Sequence, residues 1–198
     1  MKHALIIFAK NPEAGKVKTR LAAAIGNEAA LAVYHQLLFH TVSATQYLPL
    51  DKFVFYSDYI QQEDIWCNKN YFKELQQGID LGERMKNAFA SVFKKGYEKV
   101  TIIGTDCPCL NAEIIVNAFA YLQYNDVVIG PAEDGGYYLL AMDKLHQQLF
   151  EGIEWSTGNV LNATISKCDA LQLKHYLLPI LNDVDEEKDL QTCKLQGQ

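Results

Sequence analysis

"ALIIFAKNPEAGKVKTRL", residues 4–21, is the stretch from which the rest of the chain reads. Its first six residues, Ala4 to Ala9, are an apolar run of buried-strand length. Positions 10–20 then hold Lys10, Lys16, Lys18 and Arg20 against the single acid Glu13, in a chain of formal net charge −6. Cations gathered against the sign of the whole chain, directly after a strand, point to an anionic guest. Lys and Arg together suit phosphate, because Arg binds two oxygens at once. The competing reading is a solvated basic turn. A strand that runs into such a loop is the opening unit of an α/β sheet, whose ligands lie beyond the carboxyl ends of the strands.

Two familiar phosphate loops are excluded. A Walker A loop needs glycine, four residues, then Gly-Lys-Ser/Thr; Gly15-Lys16 supplies the pair, but Lys10 stands at the first glycine and Val17 at the hydroxyl. The hydroxyl's contact to magnesium is lost and the tight phosphate nest is blocked. That removes a P-loop kinase. No GxGxxG is present, which removes a dinucleotide fingerprint. What remains is a strand-to-helix loop with Gly15 for close backbone approach and several cations for a polyanion.

The bulk numbers set the frame. A chain of 198 residues fits one α/β domain that buries roughly 70% of its unfolded surface and needs no disulfides. Five cysteines, an odd number, fit reduced thiols, and Cys107 and Cys109 with one residue between them lack zinc-site spacing. The acidic balance argues against a protein that coats nucleic acid. Ala4–Ala9 is too short for a signal-peptide core or a bilayer span, so a cytoplasmic location without membrane insertion is expected.

Apolar runs of strand length alternate with segments of helical period. Strands are expected at Ala4–Ala9, Phe53–Tyr56, Val100–Gly104, Val127–Ile129, Tyr137–Met142 and Leu173–Leu178. Helical spacing recurs in Leu31, Tyr34, Leu38 and Val42 after a capping Asn27, in Met85, Phe89, Val92 and Phe93 ahead of Lys94-Lys95-Gly96, and in Ile114 to Leu122 after Asn111. A further helix is expected near 159–167, and a short acidic one after Asp185. The predicted fold is α/β: one domain over residues 1–198, a three-layer α/β/α sandwich around a mostly parallel sheet, its last few residues a loose tail.

The loops that follow strands carry the chemistry. In "IIGTDCPCL" (102–110), Asp106 lies just beyond a buried strand with Pro108 stiffening the backbone. A carboxylate there suits Mg²⁺ or Mn²⁺, which are held by one or two carboxylates plus substrate phosphates; the plain alternative is a turn or cap. "IGPAEDGGYYL" (129–139) is first a hairpin signal. Its glycines Gly135 and Gly136 also admit a ligand to the backbone, and Glu133 and Asp134 are more acid than a turn needs. Asp134 is a candidate general base or hydroxyl ligand. In "LNDVDEEKDL" (181–190), Asp185 reads as an N-cap with Glu186 and Glu187 in the first turn. Asp183 and Asp185, two apart in extended chain, would share one side, as metal ligands do. "DLGERM" (80–85) and "EWSTGNV" (154–160) read as loops before helices, offering Arg84 to phosphate and Trp155 to a ring.

Taken as an ordered set from about residue 4 to 190, these motifs resemble bacterial glycosyltransferase-like proteins of the nucleotide-diphospho-sugar transferase superfamily, which have a glycosyltransferase-A fold. A more distant similarity runs to nucleotidyltransferases that load GMP or CMP onto phosphorylated acceptors. The resemblance implies a nucleotide over the first loop, contacted by Ala9, Lys10, Gly15, Lys16, Lys18, Thr19 and Arg20, with Gly82, Arg84 and Thr105 near it. It implies Mg²⁺ or Mn²⁺ on Asp106 and on a second acid near the C-terminus, Asp185 or, in reserve, Asp183. Glu133, Asp134, Gly135, Gly136 and Trp155 would meet the rest of the substrate; Asp134, Lys18 and Arg20 would serve catalysis. The expected partners are a nucleotide or nucleotide-sugar and a small-molecule acceptor, with room for a homodimer. The better-known nucleotidyltransferases carry a more glycine-rich first loop than this KxPxxGxVKTR form. Three activities therefore stand open: glycosyl transfer from a nucleotide-sugar, nucleotidyl transfer from an NTP with release of pyrophosphate, or nucleotide binding without turnover.

Overall fold

Along His3–Ala9 (β1), Leu5, Ile7 and Ala9 enter one apolar cluster while Ala4 and Ile6 enter another. That is the alternation of a strand buried on both faces. The computed structural model describes residues 2–191; the loose tail expected for the last few residues lies outside them. Asp51–Tyr56 (β2) repeats the pattern, with Val54 and Tyr56 in the first cluster and Phe53 and Phe55 in the second. Phe72–Leu75 (β3), Lys99–Ile103 (β4), Val127–Pro131 (β5), Tyr137–Met142 (β6) and His175–Leu177 (β7) complete a seven-stranded sheet of order β3-β2-β1-β4-β6-β5-β7. Among the described strands only β6 is reversed, antiparallel to both β4 and β5.

Five α-helices, Thr19–Ile25 (α1), Asn27–Thr45 (α2), Leu81–Lys94 (α3), Ala112–Tyr121 (α4) and Val160–Ala170 (α5), flank the sheet. α2 and α4 close the first cluster through Tyr34, Leu38, Ile115, Ala118 and Phe119. α3 and α5 close the second through Met85, Ala88, Phe89, Val92 and Cys168. The three-layer α/β/α sandwich is thus as the sequence implies. Three local expectations change. α1 and the edge strand β3 are additional elements, and the last strand is only His175–Leu177. "DLGERM" is not a loop before a helix, because Asp80 caps α3 by accepting from the Glu83 N–H at 2.8 Å and so draws Gly82 and Arg84 into its first turn.

Strand direction places the site. β1, β4, β5 and β7 run the same way, so their carboxyl ends share one rim, where reversed β6 begins. The chain leaving β7 follows that rim: Leu181 N–H donates to Pro131 O at 3.1 Å, and Val184 N–H donates to Asp106 O at 2.9 Å. Val184 is buried with Leu21 of α1 and Ala30 and Leu37 of α2, which brings the acidic 183–185 segment against the basic loop.

Candidate functional site

The basic loop is anchored by a side chain that the sequence presents as core. Tyr34 of α2 is buried, and its hydroxyl accepts from Lys10 N–H at 2.9 Å, donates to Lys10 O at 3.1 Å and meets Thr105 Oγ1 at 3.3 Å. Burial, reinforced by the nearby Asp106 charge, pushes the Tyr34 pKa up, so the hydroxyl stays protonated. One phenol thus ties the end of β1 to the end of β4. Asn11, also buried, accepts from the N–H groups of Asp58 and Tyr59 and holds the loop after β2 against the same place.

The four loop cations part company. Lys16 turns outward: its side chain is 65% exposed and its ammonium pairs with Glu13 at 2.7 Å. Gly15, at φ +78, forms the crest of that turn beside Asn27. Lys18 turns inward. It lies in the left-handed region (φ 48, ψ 45), which side-chain-bearing residues avoid, and its side chain is 4% exposed. Its ammonium sits 2.5 Å from Asp106 Oδ1 and 3.2 Å from Asp185 Oδ1. Burial alone would lower the Lys18 pKa, but the two carboxylates outweigh it and hold the value above the ordinary range, so Lys18 is charged. Arg20, two-thirds exposed, reaches only Asp185 Oδ2, at 3.7 Å. Lys10 lines the same cavity.

Asp185 is not an N-cap. Instead the Asp189 carboxylate accepts from the N–H groups of Asp185 at 3.0 Å and Glu186 at 2.8 Å, which frees Asp185 to face Lys18 and Arg20. Asp183 is the exceptional member of the cluster. Its Oδ1 is buried and has no hydrogen-bond partner. Burial, then the negative charge of Asp106, with smaller contributions from Asp134 and Asp185, raises its pKa from 3.8 to about 7, although Lys18 opposes the rise. The buried Cys107 thiol is pushed up by burial and by Asp183, and remains a thiol.

A divalent cation fits this donor set. A buried carboxylate oxygen without a partner, next to a second carboxylate, is an oxygen site waiting for positive charge. Among the described residues no three His, Cys, Asp or Glu side chains are grouped to hold a metal by themselves. Magnesium, which keeps one or two carboxylates and takes its other ligands from water and phosphate, needs no such group.

The carboxylates line a cleft of about 690 Å³. Leu81 and Arg84 of α3, Asp134 and Gly136 of the β5–β6 turn, and Trp155 line it too. Two glycines make this wall possible. A Cβ on Gly82 would lie 2.0 Å from Trp155 Nε1, and a Cβ on Gly135 (φ +87) would lie 2.0 Å from Gly158 O. The helix start and the hairpin turn therefore close directly onto the 155–158 loop, where Leu161 N–H also donates to Gly135 O at 2.9 Å. Trp155 stacks on Phe150 with ring centroids 6.4 Å apart. Arg84 Nε donates to Gly78 O at 3.2 Å, which fixes the guanidinium in the cleft wall. Asp134 Oδ1 accepts from Gly136 N–H at 2.8 Å within an exposed turn.

Of the residues that the sequence singles out, Ala9, Lys10, Arg20, Arg84, Thr105, Asp106, Asp134, Gly136, Trp155, Asp183 and Asp185 line this cleft, and Lys18 and Thr19 line its adjoining inner pocket. Lys16, Gly15 and the exposed Glu133 do not; Gly82 and Gly135 act as spacers behind the wall. Tyr34 and Asn11 are not evident as site residues from the sequence. Tyr34 carried no signal beyond its apolar spacing, whereas Asn11, a polar residue between Lys10 and Pro12, offered a hint of loop chemistry.

Residues 41–157, more than half of the chain, match the sequence profile of a bacterial family described as "Uncharacterized protein conserved in bacteria (DUF2064)". The chain belongs to this family. No protein of curated function matches the sequence. A crystal structure from Desulfovibrio desulfuricans G20, of a protein provisionally named a nucleotide-diphospho-sugar transferase, is 34% identical and covers 94% of this chain and 84% of its own, with a TM-score of 0.85. Two more distant structures share the fold. A 4-diphosphocytidyl-2C-methyl-D-erythritol synthase from Anaerococcus prevotii is 12% identical, with a TM-score of 0.59 over 96% of this chain and 93% of its own. Rv0371c of Mycobacterium tuberculosis, in complex with manganese, is 9% identical, with a TM-score of 0.56 over 97% of each chain. The fold is that of nucleotide-diphospho-sugar transferases. Among the described residues no helix is long and apolar enough to cross a membrane.

Proposed function

We propose that this DUF2064 member is a metal-assisted transferase that takes a glycosyl group from a nucleotide-sugar and gives it to a small-molecule acceptor in the 690 Å³ cleft. The observation that carries this reading is the buried, unpartnered Oδ1 of Asp183 beside Asp106, at the foot of a loop of cations. Asp106 and Asp183 would hold Mg²⁺ or Mn²⁺; Asp185, already facing Lys18 and Arg20, is the poorer ligand. Such an ion, when bound, neutralises charge that develops on a departing diphosphate. Lys10 and Arg20 face the cleft with few competing partners and would bind the diphosphate oxygens. Trp155 offers a ring surface to the base or the sugar. Asp134, exposed in the cleft lining, would take the proton from the acceptor hydroxyl. The cavity is within the range of small-molecule sites.

The test is product identity. With nucleotide-sugars, NTPs and Mn²⁺, the proposal expects nucleoside diphosphate to accumulate with the sugars and Asp106→Ala to abolish it. Pyrophosphate released from an NTP would transfer the reading to nucleotidyl transfer. Tight nucleotide binding with no product from either donor class would make the protein a binding module.

A further inference from the structure

The position of Lys18 conflicts with the simple role of a phosphate contact. Of the cations on the first loop it alone is buried, and its ammonium points down onto Asp106 and Asp185, not out into the cleft. The chain accepts an unfavourable left-handed backbone at this residue to put it there, with no glycine or asparagine to ease the cost. The contact with Asp106, at 2.5 Å, is the tightest ion pair of the site, and it occupies one of the two carboxylates that would hold the metal. Asp183 Oδ1 next to it is left without a partner. A single buried cation thus compensates part of an acidic cluster whose Asp183 Oδ1 is buried, and it does so with one positive charge where a divalent ion would bring two.

We infer that Lys18 is a positioning residue that acts as the resting counter-ion of the metal seat, so that Mg²⁺ or Mn²⁺ enters by displacing its ammonium from Asp106. The inference rests on the metal reading given above. It makes metal binding to the free protein weak, because the ion must expel a charge already paired. It also gives the released ammonium a destination. Swung away from Asp106, Lys18 lies beside Lys10, Thr19 and Arg20, which line the same inner pocket, where a diphosphate would receive it. Metal and phosphate-bearing substrate then favour one another's binding through one side chain, a coupling that is reciprocal by linkage.

The test compares Mn²⁺ affinity in the full chain without nucleotide, followed by the electron paramagnetic resonance of free Mn²⁺. Lys18→Met keeps the length of the side chain and removes its charge. It should bind Mn²⁺ about tenfold more tightly than wild type, since a like charge has left the seat. A residue that only supports the fold, or that only helps to hold the metal, gives unchanged or weaker binding, and either result overturns the inference. If Mn²⁺ binds to wild type and variant alike, the metal reading survives and this inference alone falls. If Mn²⁺ binds to neither, the metal reading falls and takes this inference with it. A measurement on wild type needs no variant. Acetylation of lysines by acetic anhydride, read by mass spectrometry, should find Lys18 among the slowest to react without metal and several-fold faster with Mn²⁺. No change, or a slower reaction, overturns the displacement.

Discussion

Asp183→Asn should stabilise the metal-free protein above neutral pH and do so much less in mild acid. The carboxyl rises from 3.8 to about 7 in the fold, chiefly through burial and then through the neighbouring Asp106 charge. The sign follows from proton counting: between these values the folded chain holds a proton that the unfolded chain has released. The group's contribution is therefore fully present below the unfolded value and is lost as pH rises through the folded one. Over that interval the loss has an upper bound of roughly 4 kcal/mol, and partial solvent access reduces it to about 2–3 kcal/mol. Asparagine carries no charge to bury. Near about pH 5 the unfolded chain has released the proton and the folded one has not, so roughly a third of that loss, about 1 kcal/mol, has already accrued. Asparagine, which like protonated Asp183 leaves one oxygen unpartnered, is ahead there by about that much. The assay is urea denaturation of both proteins with chelator present, at about pH 5 and about pH 8.5, comparing free energies at equal slope. A gap of the same size at both pH values, or a variant less stable than wild type at the higher one, would refute the reasoning. Adding Mn²⁺ at the higher pH should then stabilise wild type, by about 2.7 kcal/mol at 100 times the dissociation constant, and should not stabilise the variant.

Gly135→Ala combines a left-handed backbone with a methyl 2.0 Å from Gly158 O. Losing the Leu161 N–H bond to Gly135 as well, it should cost roughly 2–4 kcal/mol, read by denaturation. Tyr34→Phe leaves Lys10 N–H without its buried acceptor and should cost about 1–3 kcal/mol. It should also weaken nucleotide binding per folded molecule, and equal affinity in calorimetry would remove Tyr34 from the site. Gly82→Ala puts a methyl 2.0 Å from Trp155 Nε1 and must move the ring. The fluorescence of Trp155, measured with the buried Trp66 replaced, should shift to the red, and donor affinity should fall by about tenfold, the equivalent of about 1.4 kcal/mol; an unmoved spectrum would contradict the assigned contact.

The layering was legible because burial on both faces writes itself into β1 as unbroken apolar sequence, and because the rim loops follow such runs directly. β3 left no such mark: Phe72 is exposed, Lys73 and Glu74 alternate with it, and the strand exists because it pairs with β2 and because Lys73 reaches Asp64 at 2.8 Å. α1 was hidden for a similar reason, since Leu21 alone of its residues is buried and its start is Lys18 in a left-handed turn, not a capping side chain. Within the site, charge type was legible and direction was not. Lys16 and Lys18 look equivalent in sequence, yet the Lys16 N–H to Glu13 O turn sends one outward and the left-handed step at Lys18 sends the other inward. Asp183 and Asp185 likewise separate only through three-dimensional partners: Lys18 and Arg20 for Asp185, and none for Asp183 Oδ1.

The distribution of backbone strain bears on the same question. Three side-chain-bearing residues adopt positive φ among the described residues: Lys18, Ser156 and Gln172. Gln172 follows the end of α5, where a left-handed residue commonly terminates a helix, so its conformation needs no role in the site. Lys18 precedes a helix and Ser156 lies between two loop residues, so neither has that reason. Both stand on the carboxyl rim, one aiming an ammonium at Asp106 and the other following the ring of Trp155 in the cleft wall. Each costs on the order of 1–2 kcal/mol that glycine would largely avoid. Glycine at 18 would also surrender the ammonium that the position presents to Asp106. A sheet buried on both faces supplies the stability against which such costs can stand. Strain at two residues lining one cleft and its adjoining pocket, with routine capping at Gln172, is the pattern expected when geometry at the rim is retained for binding and not for folding.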